Sequence, residues 1–189
     1  EQIHYQAYHD SLTGLPNRRE FERQTEEALL AAERFKTGVC LMLIDLNGFK
    51  VINDTLGHQF GDLVLRAAAR RLRDAVRDTD VVGRWGGDEF VILLPGVQDA
   101  SAVRSSAERI GGLLGGTPIA DDVTVTAAIG AALYPRHGAT LDDLIRAADE
   151  AMYGAKTTGV THRLADPLGS EPGAEPSHRP DRRRTHSDD

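Results

Sequence analysis

The stretch Arg84-Trp85-Gly86-Gly87-Asp88-Glu89-Phe90 sets two adjacent carboxylates beside a pair of glycines, between a short apolar lead-in at Val81 and Val82 and the apolar run Val91-Ile92-Leu93-Leu94. Two apolar segments joined by a Gly-Gly turn predict a β-hairpin, with the glycines supplying the positive-φ positions that a two-residue loop needs. The acids then sit at the tip. Adjacent carboxylates are costly to hold together without a neutralising partner, and a hard cation such as Mg²⁺, which takes oxygen ligands and keeps company with phosphates, is the natural one.

A second acid is placed in the same manner. Cys40-Leu41-Met42-Leu43-Ile44-Asp45-Leu46 is an apolar run bounded by Gly38 and Gly48, too short to span a membrane, and it predicts a buried strand ending in Asp45. Two such strands lying side by side would bring Asp45 and Asp88 together as a two-carboxylate metal site suited to phosphoryl or nucleotidyl transfer.

Asp45-Leu46-Asn47-Gly48-Phe49-Lys50-Val51-Ile52-Asn53-Asp54, then Gly57-His58-Gln59-Phe60-Gly61-Asp62, then Gly86-Gly87-Asp88-Glu89-Phe90 resemble the GGDEF domain of bacterial diguanylate cyclases. Asp10-Ser11-Leu12-Thr13-Gly14-Leu15-Pro16-Asn17-Arg18 is similar to the segment that opens such domains. Ala151-Met152-Tyr153-Gly154-Ala155-Lys156 is similar to the helix that closes them, so the likeness runs from about residue 8 to 162 in the family's order.

The resemblance implies a set of roles. Asp45 and Asp88 would bind two Mg²⁺ (or Mn²⁺) ions, with the Leu46 carbonyl also coordinating, Glu89 assisting, and Asp88 accepting a proton. Lys50 and Lys156 would meet a GTP triphosphate as point charges, beside backbone N–H groups of a turn from Gly48 to Lys50 that includes Phe49, whose alternative role is a core anchor. Asn53 and Asp62 resemble the family's guanine readers, a carboxylate being able to accept the N1–H and N2–H₂ donors that distinguish guanine. A helix cap is the alternative for either residue. His58 would line the nucleotide pocket or cap a helix, and Gly86 and Gly87 complete the substrate-binding set. Arg77-Asp78-Thr79-Asp80 matches the family's RxxD inhibitory motif, with Arg109 a second contributor to a site for the product, cyclic di-GMP.

Two positions depart from the pattern. Asn47 stands where the family often has aspartate, and Val160-Thr161 where many members carry Arg-Asn. The implied activity is condensation of two GTP to cyclic di-GMP and two pyrophosphates within a homodimer. A non-catalytic GTP- or cyclic-di-GMP-binding module is the alternative, and a cyclase making another cyclic dinucleotide is disfavoured by Asp62.

These residues need a scaffold. Apolar positions at helical spacing predict helices around Phe21, Thr25, Ala28, Ala32 and Phe35; around Leu65, Ala68, Leu72 and Val76; around Val103, Ala107, Ile110 and Leu114; and around Leu141, Leu144, Ala148, Met152 and Ala155. Strands are predicted near 39–46, 81–84, 89–94 and 123–133, the last from alternating Val123, Val125, Ala127 and Ile129. Helices alternating with strands imply an α/β (α+β) sandwich with helices covering a central sheet. The family resemblance makes that sheet mostly antiparallel, like the palm of nucleotidyl cyclases and polymerases.

Residues 1–9 are expected to end a linker or signalling helix, 10–163 to form the GGDEF domain, and 164–189 to be a disordered tail rich in proline and charge. Arg182, Arg183 and Arg184 in that tail read as a solvated charge run. A formal net charge of −7 argues against nucleic acid as a partner. Cys40, the only cysteine, reads as a small buried hydrophobe and excludes an internal disulfide. With no signal peptide or membrane-length run, and a chain starting at Glu1, a cytoplasmic piece of a longer sensor or membrane protein is expected.

Overall fold

The computed structural model describes residues 7–167. Residues 1–6 of the expected linker helix and the expected tail from residue 168 lie outside that range. The element order is α1 (Arg18–Phe35), β1 (Val39–Leu46), α2 (Phe49–Leu56), α3 (His58–Asp74), β2 (Val81–Gly86), β3 (Glu89–Pro95), α4 (Ala100–Gly115), β4 (Ala127–Tyr134), α5 (Leu141–Thr158) and β5 (His162–Leu164).

The strands form one sheet in the order β2-β3-β1-β4-β5. Pairings β2/β3, β3/β1 and β1/β4 are antiparallel, while β4/β5 is parallel. β1 lies at the centre, which is why its run is apolar at successive positions: a central strand has two faces to bury. Cys40, Met42, Ile44 and Leu46 pack on one face with Phe49, Val64, Leu65, Leu72, Ile110 and Leu114, from α2, α3 and α4. Leu41, Leu43, Val91 and Leu93 pack on the other with Phe21 and Leu29 of α1 and Leu144, Ala148 and Met152 of α5. The two-residue period of the strands thus sorts the chain into a three-layer sandwich. Side chains such as Ile92 and Leu41, fully buried, each contribute about 1.5–3 kcal/mol by leaving water.

Several helix starts follow from their caps. Asn17 accepts from the Glu20 amide, Asp99 from Ala102 and Thr140 from Asp143. Pro16 keeps α1 from extending backward, and α5 stops at Gly159, whose φ is +70°.

Three expectations need correction. The last long strand begins at Ala127, not Val123. Asp121 and Asp122 adopt positive φ and turn the chain so that Val123 bridges Ala120, and the β1/β4 ladder ends with Leu46 opposite Ala127, beyond which Thr126 is tied back only through its carbonyl and hydroxyl to Asn47. The Gly48-to-Lys50 turn is instead the start of α2, a helix whose Phe49, Ile52 and Leu56 carry the spacing of an apolar face. Val76 lies past the end of α3, whereas Phe35 closes α1 as expected, though at 67% exposure. The short strand β5 adds a parallel edge through Leu164.

Candidate active site

Strand parity decides which side of the sheet the acids face. Asp45 shares its side of β1 with Leu41 and Leu43, and Glu89, its direct partner across the β1/β3 ladder, shares its side of β3 with Val91 and Leu93. Both are therefore directed toward the layer formed by α1 and α5. Lys156, in the last turn of α5, meets them there: its Nζ lies 2.9 Å from Asp45 Oδ2.

Asp88 stands in the loop of the β2/β3 hairpin. The loop residues are Gly87 and Asp88, flanked by the pair Gly86 and Glu89. Gly87 has φ +47°, but Gly86 does not adopt a positive φ; it sits at a register shift in β2 beyond Arg84. Only one of the two glycines therefore meets the expected turn requirement. The Asp88 carbonyl accepts from the Leu46 amide at 3.3 Å, joining the tip to the end of β1.

The tip is braced by Arg84. Its Nε and Nη2 donate to the Gly87 carbonyl at 3.1 and 2.8 Å, while Nη1 donates to both carboxylate oxygens of Asp10 at 3.1 Å. Burial pushes the Asp10 carboxyl up, but hydrogen bonds from Thr13 and Arg84 outweigh it and hold the group below its usual value. On the other side of the hairpin, the Arg18 guanidinium lies over the Trp85 ring at 4.4 Å from its centroid, and Phe21 meets the same ring edge-on.

Charge within the cluster is not balanced. Burial, and next the charge of Asp45, push the Asp88 carboxyl above the ordinary range. Burial, then Asp45, Asp88 and Asp149, do the same for Glu89. Lys156 and Arg84 offset only part of this repulsion at Asp88. The structure therefore holds like charges together without a cage: among the described residues no group of three or more His, Cys, Asp or Glu side chains has the arrangement of a metal site.

The remaining sequence-predicted residues fall on the α2 and α3 side. Lys50 is exposed in the first turn of α2, and Phe49 is buried as a core anchor. Asn53 is inside α2 and caps nothing with its side chain. Its Oδ1 rests against Gly61 so closely that a Cβ at that position would overlap it. Asp62, on α3, is half-buried. His58 is the first residue of α3 and exposed; the cap is Gly57, without a side-chain bond, so the capping alternative for His58 does not hold. Asn47 bonds away from the acids, its Nδ2 donating to Thr126 Oγ1 at 2.9 Å.

Arg77 and Asp80 close one turn on themselves: the Arg77 amide donates to Asp80 Oδ2 at 2.9 Å, and the Asp80 amide donates to the Arg77 carbonyl at 3.0 Å. Arg77 is exposed, as is Arg109 on α4, and no described contact joins them. Sequence reasoning gave no role to Arg84 or Asp149. Arg84 stood within the signature stretch, but its ion pair with Asp10 spans 74 positions of chain and leaves no local signal.

A mostly antiparallel sheet with acids on two adjacent strand ends and a helix-borne lysine beside them defines a class of nucleotidyl-transfer folds. The family described as "Diguanylate cyclase, GGDEF domain" matches residues 7–162, and the chain belongs to that family. Over 166 residues it is 44% identical to diguanylate cyclase TpbB of Pseudomonas aeruginosa, an alignment covering 86% of this chain and 38% of that protein. Diguanylate cyclase DgcM of Escherichia coli is 40% identical over 165 residues, covering 87% and 40%. The chain thus spans well under half the length of these relatives.

Among solved structures, the GGDEF domain of TpbB (YfiN) is 40% identical and superposes with a TM-score of 0.80, covering 84% of this chain and 94% of that one. The coiled coil and GGDEF domain of DgcB from Caulobacter crescentus, solved in complex with c-di-GMP, is 30% identical, with a TM-score of 0.76 and 87% of each chain covered. The fold is accordingly the palm of the nucleotidyl cyclases. Among the described residues no helix is long and apolar enough to cross a membrane.

Proposed function

We propose that this chain is a diguanylate cyclase that condenses two GTP into cyclic di-GMP and two pyrophosphates across a homodimer. The observation that carries this reading is the partly buried group of Asp45, Asp88 and Glu89, whose mutual repulsion a bound cation would relieve, with Lys156 held against it. Family membership and relatives named diguanylate cyclases support the same conclusion.

In this reading Asp45, Asp88 and the Leu46 carbonyl hold Mg²⁺ or Mn²⁺, with Glu89 assisting. When bound, such ions acidify a ribose 3′-hydroxyl and offset charge on the transferring phosphate. The chain's own groups supply the rest. Lys156 and Lys50 bind phosphate oxygens as point charges, with Gly86 and Gly87 letting the hairpin approach them. Asp62 and Asn53 orient the guanine by its donor edge, beside His58 and the α2 start at Phe49. Asp88 takes the hydroxyl proton as the new P–O bond forms and pyrophosphate departs.

Each 3′-hydroxyl must reach the α-phosphorus of the other nucleotide, so one protomer is half a reaction site and pairing sets the rate through proximity. The proposed product site is Arg77 and Asp80 with Arg109, where a clamped cyclic dinucleotide would favour a non-productive arrangement by binding it better than the productive one. Incubating the chain with GTP and Mg²⁺ and resolving the nucleotides by chromatography tests the main claim. Cyclic di-GMP with two equivalents of pyrophosphate is expected; nucleotide bound but unconverted would point instead to a binding module. Adding cyclic di-GMP at the start should slow the wild type and leave Arg77→Ala at its initial rate. Equal slowing of both would move inhibition to the reaction site itself.

A further inference from the structure

On the layer formed by α1 and α5, at the end of β4 far from Ala127, α1 and the chain leading into α5 enclose a groove of about 560 Å³. Leu30, Tyr134 and Leu141 give it an apolar wall, and Leu30 is 68% exposed. Glu26, Glu33 and Asp142 line the same groove, and none of them enters an ion pair among the described residues; Glu22, also on the wall, is held by Arg18 at 2.8 Å. No lysine or arginine lines it. Two further cations, Lys36 and Arg136, line an adjoining cleft that shares Glu33 and Tyr134. An open apolar wall set among uncompensated carboxylates suits a cationic segment with aliphatic stems, which is what arginine side chains offer.

We propose that this groove is the docking site for the chain's own arginine-rich segment at 179–184, Arg179-Pro180-Asp181-Arg182-Arg183-Arg184. Two observations choose this occupant. The first is charge: the four arginines of that segment face one aspartate of its own, in a chain whose formal net charge is −7. The second is reach. β5 runs parallel to β4 with Leu164 beside Ala131, so the chain continues alongside Tyr134, which is itself part of the groove wall. The residues between 167 and 179 span up to about 40 Å when extended. Tethering raises the local concentration of the segment to the millimolar range. Several surface ion pairs, each weak alone, with arginine stems on Leu30 and Leu141, therefore suffice to fill the groove. The nucleotide chemistry plays no part in this argument.

Disulfide trapping in the full chain tests it. Cys40 is fully buried, and burial pushes its thiol up to about 12, so it stays silent. Leu30→Cys with Arg183→Cys should cross-link within one chain more than about fivefold faster at low salt than the control pair Asp54→Cys with Arg183→Cys, because docking raises the effective concentration. Asp54 is exposed on α2, beside the nucleotide site. Added salt should close the gap, since exposed pairs are screened, and so should Glu26→Gln, Glu33→Gln and Asp142→Asn combined. A ratio of fivefold or less, a ratio indifferent to salt, or a product that forms mainly between chains when differently tagged copies are mixed overturns the proposal.

Discussion

Glu20 at the start of α1 and Glu89 at the start of β3 are both carboxylates drawn partly out of water, yet they end in opposite states. The Glu20 carboxylate receives Nε and Nη2 of Arg23 at 3.0 and 2.7 Å and Nε2 of Gln24 at 2.6 Å. The Arg23 hydrogen bonds, opposed by burial and reinforced by Gln24, carry it down to about 2. Glu89 and its neighbour Asp88 are pushed up instead, by burial and next by the charge of Asp45, with Asp88 adding to the effect on Glu89. Where the fold needs an acid it supplies a full set of donors; where acids are held together and left short of them, the arrangement is a place for a ligand.

The largest effect should come from removing the unbalanced group. Asp88→Ala is expected to lower cyclic di-GMP formation by more than about a hundredfold, with the circular dichroism spectrum unchanged because the side chain lies outside the core. Retention of full activity would break the contrast with Glu20. Glu20→Gln should do the reverse. Product formation holds, while the melting temperature falls by about 2–4 °C, the consequence of losing about 1 kcal/mol from a half-exposed arginine pair. Because the folded Glu20 is depressed, its contribution is present above the usual value near 4.5 and is lost as pH falls toward about 2. The deficit of Glu20→Gln should shrink across that window.

The sign is opposite at the tip. A carboxyl raised in the folded state adds stability when protonated and loses it as pH rises through its folded value. Asp88→Asn should therefore melt about 1–3 °C above wild type at pH 7, and that gain should vanish below the ordinary value of 3.8. An unchanged melting temperature at pH 7 would mean that the repulsion is relieved in solution. Asn47→Asp is the mildest probe. The Thr126 hydroxyl can turn to donate to the new carboxylate, so a stability change within about 0.5 kcal/mol and product formation within about threefold are expected. A larger rate loss would show that the neutral amide is needed beside Asp45.

The layered arrangement was legible because burial leaves a periodic trace. Leu65, Ala68 and Leu72, or Leu144, Ala148 and Met152, repeat at helical spacing, and β1 reads as a strand buried on both faces. The two acids were legible because Asp45 closes one apolar run and Asp88 stands just ahead of another. What escaped was set by contacts distant along the chain. α2 is only a short helix whose first residues carry glycine in place of a side-chain cap, so it read as a turn. The alternation from Val123 to Ile129 continues past the point where β1 offers a partner, so periodicity alone overran the strand. Arg84 showed its charge but not its task, which depends on Asp10 folding back beside the hairpin.

Trp85 is the chain's only tryptophan, and it stands next to Gly86 with the Arg18 cation over its ring. Indole emission responds to nearby charge and to water, and no other indole contributes a background. The hairpin therefore carries an optical reporter in its native sequence, one whose wavelength and intensity register any change in the spacing between the tip and α1.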